Sequence, residues 1–386
     1  MKILFAAHEG DLNGSSKSLI NLIDIFSQSH EVYVLTSYQE GKFVEELKKH
    51  NCTVWYAPYY RWVKTRPESG IRWMYQRIKW YGYEQWINRR SGKKIAAMAK
   101  AEGIDLIHSN TRVINMGGLI GRYAGIPHIW HFREFGEEDF RMYPVSSVKT
   151  HYRQVSSMAN GVIMISDAIR KKFAPLLAKN VPVYRIYNGV DAGNVWEKTS
   201  YTPDTVSFLI SGRISPTKGQ KDVVKAAHLL LKKGYTNFKI YMAGTMSSNF
   251  ELFDSETEDV REYVELLGQI SDMPSLRKNM DVELVCSKAE AFGRVTIEAM
   301  MGSMPVIGSA AGGTVELIQE GVTGYLYEQG NAQALAEKMQ QFLDAPELVY
   351  KLGHAAWEQT RAYFLIQRCA QEIAEVYEKT VGKRSC

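Results

Sequence analysis

Two glutamates with seven residues between them, Glu290 and Glu298, stand in the run Val-Cys-Ser-Lys-Ala-Glu-Ala-Phe-Gly-Arg-Val-Thr-Ile-Glu. A carboxylate accepts hydrogen bonds from paired hydroxyls, the pattern that holds ribose and hexose rings. The run reads as a strand end passing into a helix, with Glu290 at the junction and Glu298 roughly two turns further on. The same spacing fits two surface glutamates, one of them favoured by the helix dipole. Upstream, Ser211-Gly212-Arg213-Ile214-Ser215-Pro216-Thr217-Lys218-Gly219 follows another strand. Arg213 as a planar fork and Lys218 as a point charge could converge on a departing diphosphate, or stand as exposed cations beside a turn. Gly312-Gly313 would let backbone N–H groups approach an anion, although a plain turn is the commoner meaning of such a pair. Asn13-Gly14-Ser15-Ser16 opens a helix after the first strand, without the GxGxxG of a nicotinamide site. His131 ends an apolar strand and could donate to a substrate hydroxyl or stabilise positive character through its backbone carbonyl; a lone histidine is more often structural.

Positioning these residues requires strands whose carboxyl ends point one way. Short β-rich runs at 2–7, 31–36, 53–57, 105–109, 128–132, 161–166 and 183–187 alternate with helical patterns at 16–26, 93–101 and 113–123. Several strands are apolar throughout, as sheets buried on both faces require. After a polar stretch at 197–204 the pattern restarts. Strands follow at 206–211, 239–243, 282–285 and 305–308, with helices at 221–233, one ending near 267, then 295–301, 314–320 and 332–343. A long terminal helix is expected over 363–377. The fold class is therefore α/β, with two Rossmann-like doubly wound domains. Ligands of such sheets bind at the strands' carboxyl ends, so a cleft between two facing domains is the expected site.

Composition narrows the class. Apolar residues make up 45% and charged residues 23% of 386, which excludes a disordered chain, a fibrous repeat or a disulfide-held mini-protein. Four cysteines without CxxC spacing argue for a reducing compartment and against structural zinc. The apolar start is too short for a signal peptide, and no run of 18 apolar residues occurs, so a cytoplasmic protein is expected. Neither GxSxG nor GxxxxGK[ST] is present, which disfavours serine hydrolysis and nucleotide hydrolysis. No Asp-x-Asp pair offers to hold a divalent ion against a diphosphate. The net charge of +5 is uneven: the window 61–100 carries eleven Lys/Arg against Glu68 and Glu84, or +9, leaving the rest at −4. That window also holds Trp62, Trp73, Tyr75, Trp80, Tyr81, Tyr83 and Trp86, with Ile71, Met74, Ile78 and Tyr81 at helical spacing. Cations mixed with amphipathic rings suit an anionic membrane surface; a helix packed on its domain explains them equally, and no nucleic-acid partner is expected.

Together these motifs resemble the retaining glycosyltransferases of GT-B fold, the family-4 or group 1 type. The resemblance rests on E-x7-E at Glu290 and Glu298, Pro305–Ile307, Gly-Gly-x-x-Glu at 312–316, Gly321–Leu326, Gly-Arg-Ile…Lys-Gly at 212–219 and Asn188-Gly189-Val190-Asp191. It implies an acceptor-side domain 1–195, a donor-binding domain 196–362 and a helix 363–386 returning to the first domain. It implies that Arg213 and Lys218 stabilise the leaving diphosphate, that Glu290 holds the transferred sugar and Glu298 the ribose, and that His131 contacts the donor sugar. Gly14, Gly212, Phe292, Gly293, Arg294, Val295, Gly312 and Gly313 would line the donor, and Gly268 and Ile270 would receive the base. No metal and no cofactor are implied, and a UDP-sugar rather than a GDP-sugar is the expected donor. A glycan or polyprenyl-linked acceptor in bacterial envelope polysaccharide synthesis is implied, and the basic, aromatic window 61–100 is itself expected to dock to the inner face of the cell membrane. The sequence departs from the pattern at Asn13, where a second glycine is usual, and after His131, where Phe132-Arg133-Glu134 stands in place of Asp. A nucleotide-sugar epimerase or phosphorylase of the same fold, or a non-catalytic adaptor for membrane or nucleic acid, are the rival readings.

Overall fold

A computed structural model describes residues 1–191, 193, 195–248 and 250–382. The chain forms two compact units: one spans Met1–Gly189 and takes in the terminal helix Ile366–Gly382, the other spans Val190–Leu365.

The first unit contains strands β1 (Lys2–Ala6), β2 (Glu31–Thr36), β3 (Thr53–Tyr56), β4 (Val63–Thr65), β5 (Leu106–Ser109), β6 (His128–Phe132), β7 (Met142–Pro144), β8 (Gly161–Met164) and β9 (Val183–Arg185). Seven of them make one parallel sheet in the order β3-β2-β1-β5-β6-β8-β9, while β4 and β7 pair antiparallel beside it. Ile3, Leu4, Phe5 and Ala6 of β1 are all inaccessible to solvent, because helices cover both faces of the sheet. Asn13 caps helix Gly14–Phe26: its side chain accepts from Ser15 and Ser16 N–H, and Ser16 Oγ accepts the Asn13 N–H at 2.7 Å. The residue standing where a glycine is usual thus closes a capping box.

The second unit is a six-stranded parallel sheet of β10 (Val206–Ser211), β11 (Phe238–Ala243), β12 (Val264–Gly268), β13 (Val282–Val285), β14 (Val306–Ser309) and β15 (Gly324–Tyr327), in the order β12-β11-β10-β13-β14-β15. That is the doubly wound order, with its reversal between β10 and β13.

Three sequence expectations are corrected. The helix expected to end near 267 is a short 3₁₀ turn, Glu258–Tyr263, followed by edge strand β12. Val260, Val264 and Leu267 follow helical spacing, but pairing with β11 takes up the backbone donors and acceptors. The helix expected at 314–320 is a single turn, Thr314–Leu317. The terminal helix expected over 363–377 is Ile366–Gly382, and a separate helix, Leu348–Tyr363, precedes it. The break between the two follows from what each buries. Val349 and Ala356 enter cores of the second unit, whereas Ile373, Val376 and Tyr377 enter the core of the first. Burying a valine or isoleucine side chain contributes roughly 2 kcal/mol.

Candidate active site

The reversal in strand order of the second unit opens a crevice between the loops that leave β10 and β13, and those loops carry the chemistry. The β10 loop runs through Gly212 to Gly219. Gly219 has φ +77° and packs so tightly on Cys286 that a Cβ would overlap its backbone. Lys288 N–H donates to Thr217 O at 3.0 Å, joining the two loops. Lys218 Nζ then meets Glu290 Oε1 at 2.6 Å. The β14 loop arrives from the other side: Gly313 N–H donates to Glu290 O at 2.7 Å, and Gly312, at φ +58°, lies against the same carbonyl. Three loops therefore converge on Glu290. Because Thr314–Leu317 is one turn long, this convergence, rather than a helix dipole, is what the Gly-Gly pair contributes.

Arg213 goes elsewhere. Its exposed guanidinium donates from Nε to Ser247 Oγ at 3.0 Å, so Arg213 and Lys218 do not share one partner. Gln220 braces the loop between them, donating to Arg213 O and accepting from Ser215 N–H.

Gly293, at φ +107°, starts helix Arg294–Met301, so Glu298 lies one turn into it rather than two. Its carboxylate is gripped on both oxygens, by Arg294 Nη2 at 3.0 Å and by Arg277 Nη1 at 3.1 Å. Arg277, from helix Met273–Lys278, is only 3% exposed; it also donates to Glu283 Oε2 at 3.2 Å and to Ser211 Oγ at 3.3 Å. Burial raises the Glu298 carboxyl, but Arg294 and Arg277 outweigh it and hold the group below the usual glutamate range. An ionised carboxylate with fixed orientation keeps lone pairs for ligand hydroxyls. Arg277 and Glu283 were not anticipated from the sequence; a glutamate inside the apolar run Val282–Val285 was the available signal. Phe292 is buried, Val295 is half-buried, and Gly268 closes β12 at φ +64° with its carbonyl accepting from Gly244 N–H at 2.7 Å. Ile270 packs against the core cluster of Met300 and Ala299.

On the first unit, Gly14 is exposed in the first turn of its helix. His131, in β6, is wholly buried. Its Nδ1 lies 3.2 Å from His108 Nε2 and 3.1 Å from Arg133 Nη2. Burial, and then the Arg133 charge, push its pKa well below the ordinary histidine value. A cavity of about 340 Å³ opens past the carboxyl ends of β1, β2 and β3, bordered by His8, Tyr38, Tyr60, Arg61 and Lys64. His8 Nε2 pairs with Glu9 at 2.6 Å, and His8 Nδ1 has no partner among the described residues.

With this geometry in place, the comparisons decide the family. The family described as "Glycosyl transferases group 1" matches residues 197–359, and that described as "Glycosyltransferase Family 4" matches residues 12–194. The chain belongs to the group 1/family 4 glycosyltransferases. It is 29% identical over 308 residues to an uncharacterized glycosyltransferase of Methanocaldococcus jannaschii, covering 78% of this chain and 82% of that one. It is 26% identical over 234 residues to the capsular polysaccharide biosynthesis glycosyltransferase CapM of Staphylococcus aureus, covering 57% and 61% of the two chains. Among solved structures, Anabaena HepE in complex with UDP superposes with a TM-score of 0.77 at 22% identity, covering 98% of this chain and 100% of that one. HepE has also been solved with UDP-glucose. The fold is GT-B.

The basic, aromatic window of this glycosyltransferase divides in two. Trp62 and Trp80 are buried, which corrects their assignment to a surface: Trp62 stacks on Trp130 with ring centroids 5.8 Å apart and donates to Arg112 O. Helix Gly70–Lys79, by contrast, buries none of its residues. Ile71 is 78% exposed, Met74 58% and Ile78 63%, with Tyr75 and Tyr81 also exposed and Arg72 and Lys79 alongside. A π-helical segment, Trp80–Glu84, joins it to helix Gln85–Glu102, and the buried Glu84 there pairs with Lys64 and Lys79. Among the described residues no helix is long and apolar enough to cross a membrane.

Proposed function

We propose that this glycosyltransferase moves a sugar from a UDP-sugar to a glycan or polyprenyl-linked acceptor in envelope polysaccharide synthesis, with retention of anomeric configuration and without a metal or cofactor. The observation that carries the reading is the convergence of three loops on Glu290, with Lys218 on its side chain and Glu298 held ready by two arginines. In this reading Lys218 and Arg213 offset the charge of the leaving diphosphate. Glu290 accepts from hydroxyls of the transferred sugar and Glu298 from the ribose. His131 donates to the donor sugar. No enzymic nucleophile is invoked: the leaving diphosphate accepts the acceptor's proton on the face it departs from, which preserves configuration. The UDP and UDP-glucose complexes of HepE support the choice of base, and CapM's role in capsular polysaccharide biosynthesis supports the acceptor class.

Thermal unfolding against UDP, GDP, ADP, CMP and their sugar conjugates tests the donor. A rise in midpoint with UDP species, absent in Arg213→Ala and Glu298→Ala, is expected; a rise with GDP species alone overturns the choice of base. Proton NMR of the first-formed product reads the anomer. Product formed without acceptor would favour epimerase chemistry, and sugar phosphate formed from free phosphate would favour a phosphorylase.

A second element rests on the exposed helix Gly70–Lys79. Its uncovered apolar residues beside Arg and Lys fit the headgroup level of an anionic bilayer. Docking there would bring a lipid-linked acceptor to the cavity at Tyr60 and Arg61 on the same unit. Co-sedimentation with phosphatidylglycerol vesicles but not phosphatidylcholine vesicles is expected; equal recovery with both would overturn it.

A further inference from the structure

His131 belongs to a chain of hydrogen bonds that reaches the terminal helix. Tyr377, in helix Ile366–Gly382, lies with its hydroxyl 2.5 Å from His108 Nδ1. His108 Nε2 lies 3.2 Å from His131 Nδ1, and Arg133 Nη2 lies 3.1 Å from that same nitrogen. Arg133 is itself oriented by Asn110 Oδ1 at 2.9 Å and Asn188 Oδ1 at 2.5 Å. Tyr377, His108 and His131 are fully buried.

Donor and acceptor chemistry permits one proton arrangement. A guanidinium can only donate, so His131 Nδ1 must accept. A neutral His131 then carries its proton on Nε2. Since His131 Nδ1 is an acceptor, the facing His108 Nε2 must bear hydrogen. His108 Nδ1 is then bare and accepts the Tyr377 O–H. The two donors at His131 Nδ1 share one lone pair, in keeping with two bonds that are both on the long side. Burial keeps the Tyr377 phenol protonated and both imidazoles neutral, and the Arg133 charge adds to the effect on the imidazoles. His131 Nε2, at the end of the chain, is buried and has no partner among the described residues.

We propose that Tyr377, His108 and Arg133 are positioning residues that hold His131 as the neutral Nε2–H tautomer, a fixed hydrogen-bond donor toward a substrate oxygen. His131 then donates at Nε2 across the neutral pH range and does not serve there as a base. The terminal helix, nearly 270 residues from His108 in sequence, thereby sets the protonation of a residue in β6. The inference rests on the reading of His131 as a substrate contact, and its test separates the two.

Nitrogen-15 spectra of the full chain labelled at histidine report the tautomer directly. The His131 Nε2 should resonate as a protonated nitrogen and its Nδ1 as a bare one, without titrating through the ordinary histidine range. A protonated Nδ1, or a normal titration, overturns the proposal. Tyr377→Phe removes one oxygen and one donor. His108 should keep its Nε2–H, because Arg133 still holds His131 Nδ1 as an acceptor, but both rings lose their anchor, and kcat should fall on the order of tenfold, the worth of one hydrogen bond, with the donor KM unchanged. Arg133→Met should give a mixture of His131 tautomers that Arg133→Lys largely restores. Unchanged tautomers in Arg133→Met together with full kcat in Tyr377→Phe overturn the relay; if Arg133→Met does not fold, the kcat of Tyr377→Phe decides. A wild-type Nε2–H tautomer together with full transfer by His131→Ala would uphold the relay and sink the substrate-contact reading.

Discussion

Lys218 Nζ lies 2.6 Å from Glu290 Oε1, so the cation suited to a diphosphate rests on the carboxylate suited to a sugar. Both side chains are partly exposed, and an ion pair of that kind contributes at most about 1 kcal/mol. It is weak enough for a diphosphate to draw Lys218 away and leave Glu290 free to accept from hydroxyls.

Lys218→Met should therefore leave the fold intact while weakening nucleotide diphosphate binding. The loss should be about 10- to 100-fold, the range for one charge-assisted hydrogen bond. Titration of UDP followed by thermal shift reads it. A nucleoside without phosphate should bind equally to both proteins.

Folding and binding should separate within the network at Arg277. Glu283→Gln leaves the buried Arg277 with the part-exposed Glu298 as its remaining carboxylate partner and should destabilise the second unit by roughly 1.5–3 kcal/mol. Glu298→Gln leaves Arg277 paired with Glu283 and should change the unfolding midpoint little while removing most of the UDP shift. Equal loss of stability in the two variants would argue that Glu298 is only a strut.

Acid should unfold the first unit early. His108, His128, His131 and His151 are buried and neutral, with His128 pushed down to about 4 and His151 to about 3. In the unfolded chain each takes a proton near the ordinary value of 6.5. Their contribution is fully present above that value and is lost as pH falls below it. Asp139 works the other way: burial raises it to about 6, so its contribution grows as pH falls through that value. Three net protons amount to roughly 4 kcal/mol per pH unit below pH 6. Urea midpoints measured from pH 7.5 downward check the slope.

The triple change Ile71→Ser, Met74→Ser, Ile78→Ser should release the protein from phosphatidylglycerol vesicles. All three side chains are more than half exposed, so the unfolding midpoint should stay within the small range of surface substitutions. Soluble-acceptor transfer should be unaffected, while transfer to an acceptor presented in vesicles should drop.

Local signals made much of this protein legible in its sequence. Alternating strand and helix periods act over a few residues, so β1, β10 and β13 and the helices that follow them could be read along the chain. Glu290 and Glu298 were legible for the same reason, since both hang from one strand-to-helix junction. Where the sequence misled, competition between local preference and tertiary pairing decided. Val264–Gly268 has helical spacing but an unpaired edge of β11 beside it. Trp62 and Trp80 sit in a basic window but are buried, Trp62 against Trp130 far along the chain. By itself, then, the sequence determined the α/β class, the order of elements and the carboxylate and cation pairs that lie within one loop's reach. Only the tertiary structure decided that Arg277 grips Glu298, that Lys218 rests on Glu290, and that Tyr377 orders the protons of His108 and His131. Those contacts join residues 21, 72 and 269 positions apart, where no periodicity reaches and strand order alone brings side chains together.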